Sequence, residues 1–289
     1  MRKKDCTIGR CVKSKGRVIM AKKFTKIEFE SFLFQTMNRF QIFLLKLFDS
    51  QNKQHQKRAS LMTYWINDYI NYQRNEDNFV PSRLPQFDRG SIVQVHFGYR
   101  IGNELGGLHY AVVIDNRNNK KSGIVTVVPL TSIKDTTNLS QNSPYVVQLQ
   151  RGVYDLMQEK CSISLAQAMA KVEKHQILLK KLENIELEYK SINEYREDYK
   201  SKINIQTIAE ECKLQEDECN RIVEQATQHM KELEQLKKGS LVNLGQITTI
   251  SKQRISNPKM VSDSLYKIKL CAEDLEIINQ KLKKLYIHE

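Results

Sequence analysis

The 289-residue sequence contains no CxxC pair; its six cysteines, Cys6, Cys11, Cys161, Cys212, Cys219 and Cys271, are scattered along the chain. Structural zinc needs four ligands held close together, usually in short paired loops, so Cys6 and Cys11 without partners do not make a metal site. Long apolar runs are missing as well. Stretches such as residues 42–45 fall far short of the ~20 residues that cross a bilayer, and no signal-peptide pattern opens the sequence. These absences lead to the expectation of a cytoplasmic protein in a reducing compartment, with no membrane partner and no cofactor.

Acidic residues are in short supply: 33 Asp and Glu face 46 Lys and Arg, for a net charge of +13. The surplus is uneven. Residues 1–89 hold 18 basic against 8 acidic side chains, whereas residues 156–238 hold 14 against 16. A basic surface gains from releasing the counterions of a polyanion, which suits RNA or DNA. A merely soluble, Lys-rich surface gives the same balance, so charge alone does not choose.

The stretch around which the chain is organised runs from residue 89 to residue 132. Three runs rich in β-branched residues, 91–97, 110–115 and 124–130, are separated by Gly98, Gly102, Gly106 and Gly107 and then by the turn-forming residues 118–123. Such runs between Gly and Asn clusters read as successive antiparallel strands. Alternation in Ile92-Val93-Gln94-Val95-His96-Phe97 is imperfect, as it is where a strand is buried on both faces. Pro144-Tyr145-Val146-Val147-Gln148-Leu149 reads as a further strand.

Four pieces in order resemble the MazF/PemK family of toxin endoribonucleases. They are Arg89-Gly90-Ser91-Ile92-Val93; Gly102-x-Glu104-x-Gly106-Gly107 followed by Ala111-Val112-Val113-Ile114; Val128-Pro129-Leu130-Thr131-Ser132; and, far downstream, Leu244-x-Gln246-Ile247-x-Thr249-Ile250-x-Lys252-x-Arg254-Ile255. The resemblance covers roughly residues 87–155 and 239–275. It implies an α+β fold built on a small SH3-like antiparallel barrel. It also implies a homodimer, single-stranded RNA as substrate, and an antitoxin protein of a type II toxin–antitoxin system as partner. The chain departs from the family pattern by some eighty intervening residues of helical composition.

The remaining segments are read from periodicity. Residues 1–26 are basic and without period, a flexible tail in which Met20 offers an alternative start. Residues 27–80 read as a helical hairpin, with apolar positions Phe29, Phe32, Leu33, Met37, Phe40, Phe43, Leu44 and Leu47 and then Leu61, Met62, Trp65, Ile66, Tyr69 and Ile70. Its aromatics fit buried core better than base stacking. In the insertion, residues 156–238, Leu178, Leu182, Ile185, Tyr189 and Ile192 follow coiled-coil spacing. A short helix over 204–212 and its successor resemble a DNA-binding helix-turn-helix. Gln215-Glu216-Asp217-Glu218 would repel phosphates there, so an antiparallel helical arm is the preferred reading. Residues 239–289 return to strands and end in a helix capped by Ser262 or Asp263, with strands expected only within 89–155 and 240–256.

Metal-free RNA cleavage requires a base for the 2′-OH, an acid for the leaving 5′-oxygen and positive charge for the phosphorane. The resemblance implies an essential Arg two residues after the Gly-Gly pair and a hydroxyl at the end of the third strand. Thr131, with Ser132 beside it, fits the hydroxyl; His109 stands at the Arg position. An imidazole can move a proton near neutral pH, which Arg hardly can, but it is a weaker fixed cation. His109, Thr131 and Ser132 are therefore the catalytic candidates. Arg89, Arg100, Lys134, Lys252 and Arg254 are candidates for nucleic-acid contacts. Glu104, Gly106 and Gly107 are expected to shape the loop, Glu104 by accepting backbone N–H groups. His96 reads as a packed or surface histidine. The alternative to an enzyme is a non-catalytic nucleic-acid-binding or protein-interaction module on the same scaffold.

Overall fold

A computed structural model describes residues 12–14, 17–19, 23–133, 143–193 and 205–287. The chain divides into two compact units, Met1–Ile70 and Asn71–Glu289.

In the first unit, strands β1 (Val12–Ser14) and β2 (Arg17–Ile19) pair antiparallel, Val12 opposite Ile19. They fall outside the two spans to which strands were expected to be confined; three-residue strands are too short to register as a period in the sequence. Helix α1 (Lys26–Phe48) starts at a reciprocal cap in which Thr25 Oγ1 accepts the Glu28 N–H at 3.3 Å and Glu28 accepts the Thr25 N–H at 2.9 Å. Helix α2 (Lys53–Arg74) opens with Asn52 accepting the Gln54 N–H at 2.8 Å. The expected helical hairpin is present.

The second unit is a seven-stranded antiparallel sheet with helices. Its strands are β3 (Ile92–His96), β4 (Leu108–Val113), β5 (Ile124–Ser132), β6 (Val146–Gln148), β7 (Ser240–Asn243), β8 (Thr248–Ser251) and β9 (Ile255–Asn257). The pairing path runs β6-β7-β5-β4-β3-β9, with β8 also on β5. The nine-residue β5 organises it. One edge pairs with β4, Ala111 opposite Pro129; the other pairs first with β8, Val125 opposite Ile250, and then with β7, Thr131 opposite Leu241. Two partners on one edge require β5 to pass from one half of a curled sheet to the other. β6 and β9 end the path, so among the described strands the sheet is open.

Both faces of the sheet are buried. Val93, Val95, Ala111, Val113, Val125 and Val127 pack with Phe87 and Ile250 on one side. Ile92, Val112, Val128 and Val242 pack on the other with Met157 of helix α3 (Val153–Asn193) and Ile278 of helix α5 (Ala272–Tyr286). Consecutive valines thus serve opposite cores, which explains the broken alternation. Ile278 is fully buried, and a buried Ile-to-Ala truncation costs about 2–5 kcal/mol. Ile278→Ala is expected to lower the urea midpoint accordingly without changing the unfolding slope.

Helix α4 (Ile205–Glu234) runs back along α3 as one continuous element, instead of a short helix followed by a second. Lys171 pairs with Glu218 at 2.8 Å while Lys160, eleven residues earlier, senses the charge of Glu232, so the two helices are antiparallel. The small residues Cys161, Ala168, Cys219 and Ala226 are buried between neighbours in this arm. Leu178 is 44% exposed, and the side chains of Leu182, Ile185, Tyr189 and Ile192 lie outside the described residues.

The C-terminal helix begins at Ala272, later than expected. Asp263 does not cap it; its carboxylate accepts the Lys259 and Met260 N–H groups at 2.6 and 3.0 Å. Lys267 adopts φ +62°, a left-handed conformation that breaks a helix. The chain beyond it crosses the start of β3, where Leu270 donates to the Gly90 carbonyl at 3.0 Å.

Candidate active site

The glycine-rich loop between β3 and β4 closes on itself: the Gly107 N–H donates to Gly98 O at 2.8 Å and the Phe97 N–H to Gly107 O at 2.8 Å. Gly107 has φ +89°, a region costly for any residue with a Cβ. At Gly106 the constraint is close approach, since a Cβ would lie 2.7 Å from Gly98 O. Gln246, preceding β8, pins the loop from outside by accepting the Leu105 N–H at 3.1 Å. The Glu104 carboxylate lies 3.8 Å from the Arg100 guanidinium, so the loop carries an ion pair at its tip.

His109 is the second residue of β4. The β4–β5 ladder ends with Ala111 opposite Pro129, so His109 lies two residues beyond its end on one strand and Thr131 two residues beyond it on the other. His109, Tyr110, Thr131 and Ser132 line one cavity of about 470 Å³ with Gln235 and Lys237, which follow α4. The structure thus brings the three catalytic candidates together. Gln235, Lys237 and Tyr110 were missed, since they carry no motif. The one cue to Lys237 was the Lys-Lys step before Gly239, where the chain returns from α4 to the sheet.

His109 Nε2 lies 3.0 Å from the Gly106 carbonyl, and its ring is 6.5 Å from that of Phe97. Burial lowers its pKa below the ordinary 6.5, and the contacts to Gly106 and to the Leu130 backbone only partly oppose this. The imidazole is therefore mostly neutral at pH 7, with the hydrogen on Nε2 directed at Gly106 O. The Tyr110 phenol is pushed up, first by burial and then by Glu232, and stays protonated.

The basic candidates separate. Lys252 is 2% exposed, donates to the Asn119 carbonyl at 3.0 Å and lies over the Phe87 ring. Burial lowers its pKa. It sits as a strut of the sheet, where the sequence led to the expectation of a phosphate contact. Arg89 likewise serves the fold, donating to the Ile114 carbonyl and to Asn279 of α5. The resemblance marked both as basic positions but could not reveal these acceptors. Lys134 lies outside the described residues.

Arg100 and Arg254 remain. Arg100 donates to Phe97 O at 3.3 Å with its side chain 28% exposed. Arg254 donates to His96 O at 2.8 Å; burial first, and then the charge of Arg100, lower its pKa. Two like charges are therefore held near each other beside the glycine loop that leads into β4.

Residues 88–194 match the family model of the PemK-like, MazF-like toxin of type II toxin–antitoxin systems. This region is PemK/MazF-like. No curated protein matches the chain. The matched span contains the glycine loop, His109, Thr131, Ser132 and Arg100. Strands β7, β8 and β9, which carry the downstream part of the resemblance, lie beyond the PemK/MazF-like span, yet they pair with β5 and β3 in the same sheet. Among the described residues no helix is long and apolar enough to cross a membrane.

Proposed function

We propose that this protein is the toxin of a type II toxin–antitoxin system and acts as a metal-independent endoribonuclease on single-stranded RNA. The observation that carries this reading is that His109, Thr131 and Ser132, all within the PemK/MazF-like span, line one cavity. On this reading the curled sheet is an SH3-like barrel and the α3–α4 pair a coiled-coil-like insertion.

The neutral imidazole accepts the proton of the substrate 2′-OH at Nδ1, the nitrogen not bound to Gly106 O, as that oxygen attacks phosphorus. The P–O5′ bond then breaks, and the departing 5′-oxygen takes a proton from the imidazolium or through water. The products are a 2′,3′-cyclic phosphate and a 5′-hydroxyl. Thr131 and Ser132 donate hydrogen bonds to the phosphoryl oxygens, and Arg100, Arg254 and Lys237 supply positive charge. A barrel-mediated homodimer and inhibition by an antitoxin accompany the family resemblance.

The test is incubation of the purified chain with single-stranded RNA in EDTA. Cleavage leaving cyclic phosphate ends is expected. Binding without cleavage would favour a non-catalytic module instead. Because Lys252 is buried, Lys252→Met should leave the salt dependence of RNA binding unchanged. Arg100→Ala should reduce the log–log slope by ~0.7, the amount for one phosphate contact on a single strand.

A further inference from the structure

Where their ladder ends at Ala111 and Pro129, β4 and β5 separate. β4 stays with β3, His109 opposite Val95, while β5 goes over to β7, Thr131 opposite Leu241. The cavity of about 470 Å³ is lined from both strands at this parting. Sites that take up a whole small organic group run to ~300–1,000 Å³, so the volume exceeds what one phosphate fills. It leaves room beside the phosphate for a neighbouring part of the substrate.

Part of the wall comes from outside the PemK/MazF-like span, which ends at residue 194: Gln235, Leu236 and Lys237 follow α4. The helix is fastened just before them. Glu232 accepts the Ser264 hydroxyl at 2.5 Å, and His229 Nε2 lies 3.0 Å from the Ser262 carbonyl. Lys160 of α3 donates to the carbonyls of Asp263, Ser264 and Tyr266 at 2.8–3.0 Å, so both helices grip the same segment. Leu233 and Leu236 pack against the core of the sheet. Gln235, between them, is exposed and rests on a fixed base, which a reading group needs. Its carboxamide sets a donor beside an acceptor, the pattern that pairs bidentately with adenine. Leu105 and Leu108, the latter 54% exposed, add apolar surface for a flat ring. In single-stranded RNA the base edges are free to be read in this way.

We propose that Gln235 is a specificity-determining residue: the segment returning from α4 makes the cavity a base pocket, in which the Gln235 carboxamide pairs with an adenine next to the bond being cut. The proposal rests on the ribonuclease reading for its ligand, RNA. It assigns the choice of base to residues outside the PemK/MazF-like span, and it gives the α3–α4 arm a task, holding the reading group in place.

The experiment measures binding and cleavage separately, with the full-length chain. Binding is followed by fluorescence anisotropy with 2′-O-methyl hexanucleotides, in which the attacking oxygen is blocked. Four are compared: all adenine, all cytosine, all uracil, and guanine alternating with uracil. The adenine oligomer should bind at least about 10-fold more tightly than the weakest, within the ~5- to 150-fold of a good bidentate base contact. Gln235→Ala should shrink that spread to less than about 3-fold, with Tm unchanged because the side chain is exposed. Gln235→Glu, whose carboxylate only accepts, should move the preference to guanine, which offers two N–H donors on its Watson–Crick edge. Sequencing the 5′-hydroxyl ends cut from a random-sequence RNA should show the same changes. A wild type that binds none of the oligomers or does not favour adenine, or a Gln235→Ala that keeps the wild-type preference, would overturn the proposal. Cleavage with no base preference would overturn it too, leaving the ribonuclease reading intact. A Gln235-dependent preference in a protein that cuts nothing would support the pocket and overturn the ribonuclease reading instead.

Discussion

His109→Ala is expected to lower the rate of RNA cleavage by ~10²–10⁴, the range for removing a positioned general acid or base. Stability should fall by only about 1 kcal/mol, the net worth of one hydrogen bond to Gly106 O. His109→Arg restores the residue implied by the family but not the chemistry inferred here, because a guanidinium cannot take up a proton. It should stay within an order of magnitude of His109→Ala. A wild-type rate in His109→Ala would remove the residue from the mechanism, and strong rescue by Arg would make its role that of a fixed charge.

The pH dependence follows from the lowered pKa of His109. The base-dependent limb of kcat/KM should fall only below pH 6.5, as the pH drops through the folded value. For stability, the unfolded chain binds more protons than the folded one between that folded value and 6.5. This residue's contribution therefore rises with pH across that window and is lost as pH falls through the folded pKa. His109→Gln should flatten this part of the stability profile in chemical denaturation at a series of pH values.

The strands of the seven-stranded sheet and the long helices were legible because each declares itself locally, by β-branched runs or by a helical apolar stripe. What could not be read was set by distant partners. Lys252 looks like any surface lysine until Asn119 O and the Phe87 ring close over it. The start of α5 was misplaced because the stripe of Leu265 and Ile268 continues in phase through an irregular segment that Lys267 breaks. Lys237 reached the cavity only through the return of α4 to the sheet, far along the chain from the strands that carry His109 and Thr131.

The second large effect concerns the positive charge that a neutral His109 does not supply. Arg100 sits in the loop whose Gly106 carbonyl faces the His109 ring; its Cγ lies 3.5 Å from where a Gly106 Cβ would stand. Its charge also contributes to lowering the pKa of Arg254, so the pair repels in the free protein. A phosphate between them would relieve that repulsion, and more so as charge builds on the phosphorane. Removing one such preorganised charge or donor typically costs ~10²–10³ in rate, and Arg100→Ala is expected to fall in that range. Glu104→Gln, which frees Arg100 from its partner at 3.8 Å, should change the rate by less than about tenfold, since exposed ion pairs are weak. Arg100→Lys should recover part of the loss by keeping the charge while losing the planar donor fork. Single-turnover cleavage with saturating RNA separates the two contributions. A loss confined to binding would make Arg100 a docking residue only, whereas a slower cleavage step in fully bound RNA places its charge at the transition state.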